Sequence, residues 1–211
     1  MWKLTSGVSL CFAEGLVAFC ALAFEVIAAR LLAPYAGMST DTWTSIIGAF
    51  LLSMAVGNWI GGLLAAKGSI QDALRWAALV AAAGGVAIAS APFLIESWDA
   101  WVLAPAPSVL WRIVLFTAVP CVPAGALFGI AAPLLMMSML RAAGGDGRMI
   151  GAMYAAGAAG SVAGVLAALW VLLDGFGVRA SLMAVGMLSL ANALLIATVA
   201  SRWRRSSPAL A

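Results

Sequence analysis

Two carboxylates and a guanidinium stand in a stretch that otherwise reads as a bilayer-crossing helix: Glu14, Glu25 and Arg30 within VSLCFAEGLVAFCALAFEVIAARLLAPYAGMSTDTW, residues 8–43. A charge near the bilayer centre costs about 2.5–3.5 kcal/mol even on the lenient insertion scale, so such residues usually face a protein interior or a cavity. Eleven residues separate Glu14 from Glu25. At ~100° and ~1.5 Å per residue they stand roughly 20° apart in azimuth and about 16 Å apart along the axis. The two acids therefore mark one stripe of one helix. With the helix centred near residue 20, Glu25 lies about 7 Å toward one surface and Glu14 about 9 Å toward the other, both inside the ~30 Å hydrocarbon layer. An acid at that depth must carry a proton or be held by a donor or cation. Arg30 sits about 140° round the helix from Glu25 and is not its simplest partner; Asn58 and Tyr154 are the other candidates. Two readings fit this pattern. One is a structural ion pair or a protonated acid bonded to a neighbouring helix, and the other is a substrate or proton site.

The rest of the chain sets the frame for those residues. Of its 211 residues, 65% are hydrophobic and 9% charged, with a mean hydropathy of +1.10. A soluble domain of this length has no interior large enough for so much apolar surface, which points to a polytopic membrane protein whose first partner is the lipid bilayer. The net charge of +3 comes from Lys and Arg at the ends of apolar runs, and speaks to topology rather than to nucleic acid. Cys11, Cys20 and Cys121 lie in apolar runs without paired spacing and read as small buried hydrophobes. The chain has no histidine, so zinc sites, haem ligation and His-based acid–base catalysis lose their usual residue; no metal or cofactor is expected.

Six apolar runs meet the ~20-residue requirement for a span, at roughly 8–33, 43–66, 73–95, 110–140, 149–173 and 179–202. The fold class expected is all-α, a single six-helix transmembrane domain over 1–211. Pro120, Pro123 and Pro133 should kink or tilt the fourth helix. An even number of spans puts both termini on one side. That side holds Lys3, Lys67, Arg75, Arg141, Arg148, Arg202, Arg204 and Arg205, against Arg30, Arg112 and Arg179 on the other. The asymmetry places both termini in the cytoplasm and the chain in a cell (inner) membrane. Trp43, Trp98, Trp101 and Trp111 near the outer interface, with Trp2, Trp76 and Trp203 near the inner one, form an aromatic belt. The longest connection, about 96–109, is expected to rest on the membrane surface.

The second and fifth runs echo one another. A shift of 103 carries Ile47, Gly48, Ala49, Ala55, Gly57, Gly61, Leu63 and Ala65 onto Ile150, Gly151, Ala152, Ala158, Gly160, Gly164, Leu166 and Ala168. Gly57 with Gly61, and Gly160 with Gly164, are small-xxx-small pairs that let two backbones approach closely in lipid, and they are assigned to helix packing. A repeat of helices 1–3 in helices 4–6 has inverted topology, because three is odd, and inverted repeats recur in secondary transporters. Packing through small residues of any ancestry is the alternative.

The segments EVIAARLLAPYAG and TSIIGAFLLSMAVGNWIGG resemble the membrane region of the integral-membrane spermidine-synthase-like proteins, in which a major-facilitator-like region is fused to a synthase. The positions that carry the resemblance are Glu25, Val26, Arg30, Leu31, Leu32, Gly37, Gly57, Gly61 and Gly62. VPAGALFGIAAPLL continues it through Pro123, Gly129 and Pro133, and IGAMYAAGAAGSVAG through Gly151, Tyr154, Ala155, Gly160 and Gly164. The family commonly has an Asn-Thr pair where Gly157 and Ala158 stand, and Asp-Arg where Ala66 and Lys67 stand. Its members usually continue into a cytoplasmic aminopropyltransferase domain, whereas the sequence here ends at Ala211; the resemblance implies the membrane domain without the synthase. Gly144-Gly145-Asp146-Gly147 superficially matches the glycine-rich fingerprint of such a synthase, but it lies between two membrane spans and reads as a tight turn.

Two functions emerge as expectations. One is a non-catalytic transporter or permease, half of a major-facilitator fold completed by a homodimer or a partner half, for a cationic solute such as a polyamine or coupled to protons. The other is a membrane anchor or regulatory subunit for a separately encoded soluble synthase. Intramembrane catalysis lacks the residues it needs, having neither a nucleophile beside a base nor acids at catalytic spacing.

Overall fold

The computed structural model describes the backbone over residues 2–102 and 108–206 and the side chains over 7–98 and 108–203. Among the described residues every regular element is helical and none is a strand. In order they are α1 (Trp2–Ala36), α2 (Thr40–Lys67), α3 (Ile70–Val102), α4 (Val109–Ala142), α5 (Gly147–Ala167), a π-helical segment (Ala168–Leu173) and α6 (Asp174–Ser206). Five helical stretches are long and apolar enough to cross a membrane. The last, Gly147–Trp203, is 57 residues long and contains α5, the π segment and α6. Its helical dihedrals break at Gly177, with φ 70° and ψ 177°, a left-handed value that glycine adopts without penalty. In place of six separate apolar helices, the last two runs are thus joined by helical backbone up to that break.

The helix starts arise from local chemistry. The Ser39 hydroxyl accepts from the Thr42 amide, that of Ser108 from the Trp111 amide, and the Asp146 carboxylate from the Arg148 amide. Ser69 and Asp72 form a reciprocal pair at the head of α3: the Asp72 amide donates to Ser69 Oγ, and the Ser69 amide donates to Asp72 Oδ2. Helix α4 runs continuously through Pro120, Pro123 and Pro133. The 96–109 connection differs from expectation in its first part, where α3 continues to Val102; residues 103–107 lie outside the described residues, as do the side chains of Trp2 and Trp101. Gly144 and Gly145, at φ 68° and 89°, make the turn between α4 and α5.

In lipid there is no hydrophobic force to hold helices together, so packing depends on how closely backbones approach. Here α2 packs along α4, α5 along α1, and α3 against both α4 and α6, while α1 also meets α4 and α6. A Cβ added at Gly57 or Gly61 would overlap the carbonyls of Ala126 or Ile130 on α4, and one at Gly129 the carbonyl of Met54 on α2. Added at Gly160 or Gly164, it would overlap the carbonyls of Gly15 or Phe19 on α1. Around these seams Phe24, Ile27, Leu32, Phe50, Phe116 and Leu134 are fully buried. The Phe24 and Phe50 rings lie 6.1 Å apart, and those of Tyr35 and Phe116 stack at 5.5 Å.

Candidate functional site

Helix α1 is the central element, and its polar residues fall into two groups. Toward its start Glu14 is 9% exposed, and its Oε2 is buried without a hydrogen-bond partner. Gly157 of α5 lies over this carboxyl; a Cβ there would come within 3.7 Å of Oε1. On the adjacent residue, the Ala13 carbonyl accepts a bond of 3.0 Å from Asn192 Nδ2 of α6. Asn192 is 1% exposed, and its Oδ1 also has no partner. Among the described residues, three buried side-chain polar atoms are unsatisfied: Glu14 Oε2, Arg112 Nε and Asn192 Oδ1. Such an atom costs about 1–3 kcal/mol when left unpaired.

One turn before Glu14, a pocket of about 440 Å³ opens between α1, α4, α5 and α6. Gly7, Leu10 and Cys11 line it from α1, Met139 and Ala142 from α4, Met149 and Ala152 from α5, and Trp203 from α6. Trp203, expected as an interface anchor, is half-buried and forms part of this wall. The single charged residue in the lining is Asp146.

The second group lies toward the other end. Glu25 is half-buried and makes no hydrogen bond or ion pair among the described residues. Arg30 is exposed and lines a separate pocket of about 400 Å³ with Ala33, Pro34, Asp174 and Gly177. This pocket also touches Leu169 and Leu173 of the π segment, and π-helical turns recur at functional positions.

The structure does not bring the candidate partners to Glu25. Asn58 is exposed on α2, and Tyr154 is 70% exposed on α5. Both helices present a glycine face to their neighbour, and these residues stand off that face: Asn58 is ~100° from Gly57, and Tyr154 ~120° from Gly160. Gly57, Gly61, Gly160 and Gly164 lie in the helix seams described above, away from the carboxylates, although Gly160 abuts Gly15, next to Glu14. Asn192, unlike these, is not singled out by the sequence. Its signal is a lone amide in the apolar run of α6, without any marker of the helix face it occupies. Among the described residues no group of three or more His, Cys, Asp or Glu is placed to hold a metal ion.

No family model matches the chain, and no solved structure matches it. It is 33% identical over 132 residues, 63% of its length, to Polyamine aminopropyltransferase 2 of Ralstonia nicotianae, covering 24% of that protein. It is likewise 33% identical over 132 residues to Polyamine aminopropyltransferase 1 of the same organism, covering 23% of it. The matched stretch thus spans about a quarter of the curated relatives' length, and the chain carries a partial, weak homology to proteins named as polyamine aminopropyltransferases.

Proposed function

We propose that this chain is a non-catalytic, multi-pass membrane protein of permease-like build that handles a cationic solute of the polyamine class or couples to protons. The observation that carries the reading is Glu14, an acid buried in the helix core with a carboxylate oxygen that no group among the described residues satisfies. Intramembrane acids of this kind mark solute and proton paths. The polyamine class is taken from the names of the relatives.

The finer architecture belongs to the same proposal. The break at Gly177 supports two crossings within the 57-residue stretch, which at ~1.5 Å per residue is far longer than a ~30 Å layer requires. Six crossings with both termini cytoplasmic accord with the basic residues. The packing supports a 3+3 inverted repeat. A shift of 103 takes Gly57 and Gly61 onto Gly160 and Gly164, and a shift of 111 takes their partners' equivalents, Gly15 and Phe19, onto Ala126 and Ile130. Exchanging α1–α3 with α4–α6 turns the α1–α5 pair into α4–α2 and the α1–α6 pair into α4–α3, and all four pairs occur. A unit of this size is half of a major-facilitator fold, so a homodimer or a partner half completes it in a cell (inner) membrane.

Uptake of radiolabelled spermidine into proteoliposomes, with and without a pH gradient, tests the reading; uptake above protein-free liposomes is the expected result. The homology to named aminopropyltransferases favours a second reading, a membrane anchor or regulatory subunit for a soluble synthase. Absence of uptake together with a co-purifying synthase would decide for it.

A further inference from the structure

We infer that the pocket between the end of α1 and the start of α6 is a site for a zwitterion that joins a phosphate to a primary ammonium, as the headgroup of a phosphatidylethanolamine lipid does. The inference stands apart from the solute reading above and needs only the bilayer.

The pocket, of about 400 Å³, is lined by one residue of each charge, Arg30 of α1 and Asp174 of α6. They do not close on each other: neither makes an ion pair or a hydrogen bond among the described residues. Opposite charges in reach of one another do pair elsewhere, as Arg75 does with Asp72. Arg179, five residues past Asp174, turns instead to Glu96 and the Phe93 ring. The pocket thus keeps a guanidinium and a carboxylate apart and unspent. A lone anion would meet the charge of Asp174 and a lone cation that of Arg30, so a ligand carrying both signs is the one that both residues favour.

Each sign has its own chemistry. The planar guanidinium fork matches the oxygens of a phosphate. A primary ammonium brings three N–H donors, and Asp174 is an acceptor for them. The main-chain carbonyl of Arg30 is a second, because Pro34, four residues on and in the same lining, has no amide to give it. Gly177 also lines the pocket, and a Cβ built there would have nothing within 4 Å, so the space before it is open.

Depth selects the form of the zwitterion. Arg30 lies ten residues past residue 20, about 15 Å from the middle of the span, where the ~30 Å hydrocarbon layer gives way to headgroups. Leu169 and Leu173 of the π segment supply apolar wall, and Leu169 is exposed, as a surface beside an acyl chain would be. An arginine that only anchored a helix end would accept any lipid phosphate. Asp174 adds the demand for an ammonium.

The test offers the full chain, in mild detergent, an equal mixture of phosphatidylethanolamine, phosphatidylcholine and phosphatidylglycerol, and counts retained lipids by native mass spectrometry. Phosphatidylethanolamine should exceed phosphatidylglycerol, which lacks the ammonium, about tenfold, the worth of one charge-assisted contact. It should exceed phosphatidylcholine, whose quaternary nitrogen has no N–H, several-fold. Asp174→Asn should erase both preferences, and Arg30→Gln should lower retention of every lipid. As a measurement independent of variant folding, amide exchange over residues 173–178 of the unmutated chain should be slower in phosphatidylethanolamine nanodiscs than in phosphatidylglycerol ones. Retention indifferent to headgroup, a preference that survives Asp174→Asn, or exchange that is equal in the two lipids overturns the site. Displacement of the lipid by phosphoethanolamine, which has no acyl chains, would assign the site to a soluble zwitterion. Retention against it assigns the site to the bilayer, the expected result.

Discussion

Gly85 of α3 and Gly186 of α6 face each other reciprocally: a Cβ added to either would come 2.7 Å from the other's carbonyl oxygen. Neither helix has room to yield, because Ser189 and Leu190 flank the first contact and Ala89 the second. Replacing Gly85 or Gly186 by Leu should lower the thermal unfolding midpoint in detergent by several degrees, consistent with overpacking costs of about 1–3 kcal/mol or more. Ala83→Leu, at an exposed position of the same helix, is the matched control and should leave the midpoint where it was. Equal midpoints for all three variants would dismiss the contact as a source of stability.

The α2 seam makes a sharper comparison. Gly61 meets the Ile130 backbone, with a hypothetical Cβ at 2.5 Å from its oxygen, whereas the neighbouring Gly62 has nothing within 4 Å. Gly61→Leu should destabilise the protein strongly, and Gly164→Leu should do the same in the α1–α5 seam. Gly62→Ala should be neutral or mildly stabilising, since alanine is the better helix former by about 1 kcal/mol. A destabilising Gly62→Ala would mean that this face is covered by another chain.

Arg141 at the end of α4 closes the α2–α3 turn. Its Nη1 donates to the Gly68 carbonyl at 2.6 Å, and its Nη2 donates to those of Ala65 at 2.8 Å and Ala66 at 3.3 Å. These are carbonyls that the end of α2 leaves without helical partners. Arg141→Ala should accelerate amide exchange over residues 65–72, and Arg141→Lys should rescue little, because an ammonium lacks the planar fork. Unchanged exchange would show that water serves those carbonyls equally well.

Orientation can be read by labelling. In a cysteine-free background, a membrane-impermeant thiol reagent applied from outside should reach cysteines placed at Ser97 or Ser108 and miss those at Gly145 or Ser206. The opposite pattern would reverse the topology drawn from the basic residues.

Glu25 separates from Glu14 in its expected phenotype. Glu25→Gln keeps the shape of the side chain and removes its charge. Spermidine uptake should be lost while the unfolding midpoint persists. A parallel fall in stability and uptake would assign Glu25 to structure alone.

Much of the arrangement was legible in the sequence for a physical reason. Bilayer-length apolar runs admit few structures besides helices, and spaced glycines flag close seams, as Gly57 and Gly61 do on α2. The register of Gly57 and Gly61 was plain, but their α4 partners, Ala126 and Ile130, were not, because a carbonyl oxygen is available at every residue. The polar site was half visible. Glu14 stood out as a charge in an apolar run, whereas Asn192 acquires meaning only when α6 is brought against Ala13. Asn58 and Tyr154 are exposed off the glycine faces of α2 and α5, because polarity alone does not tell which way a residue faces when the adjacent glycines fix the helix seam. The π segment had no local signature, since ALWVLL would serve an ordinary helix equally well.

That segment has a consequence for how the chain tolerates change in length. A π turn over Ala168–Leu173 accommodates about one residue more than an α-helix would over the same rise. Each residue added to or removed from a helix rotates the downstream turns by ~100°. The face of α5 that holds Gly160 and Gly164 against α1 is thereby set out of phase with Leu173, which turns into the pocket of Arg30 and Asp174. Here the chain holds a spare residue, so a single deletion between Ala168 and Leu173 can be absorbed as plain α-helix. The seam with α1 would survive such a deletion, and the Arg30 pocket would lose its wall.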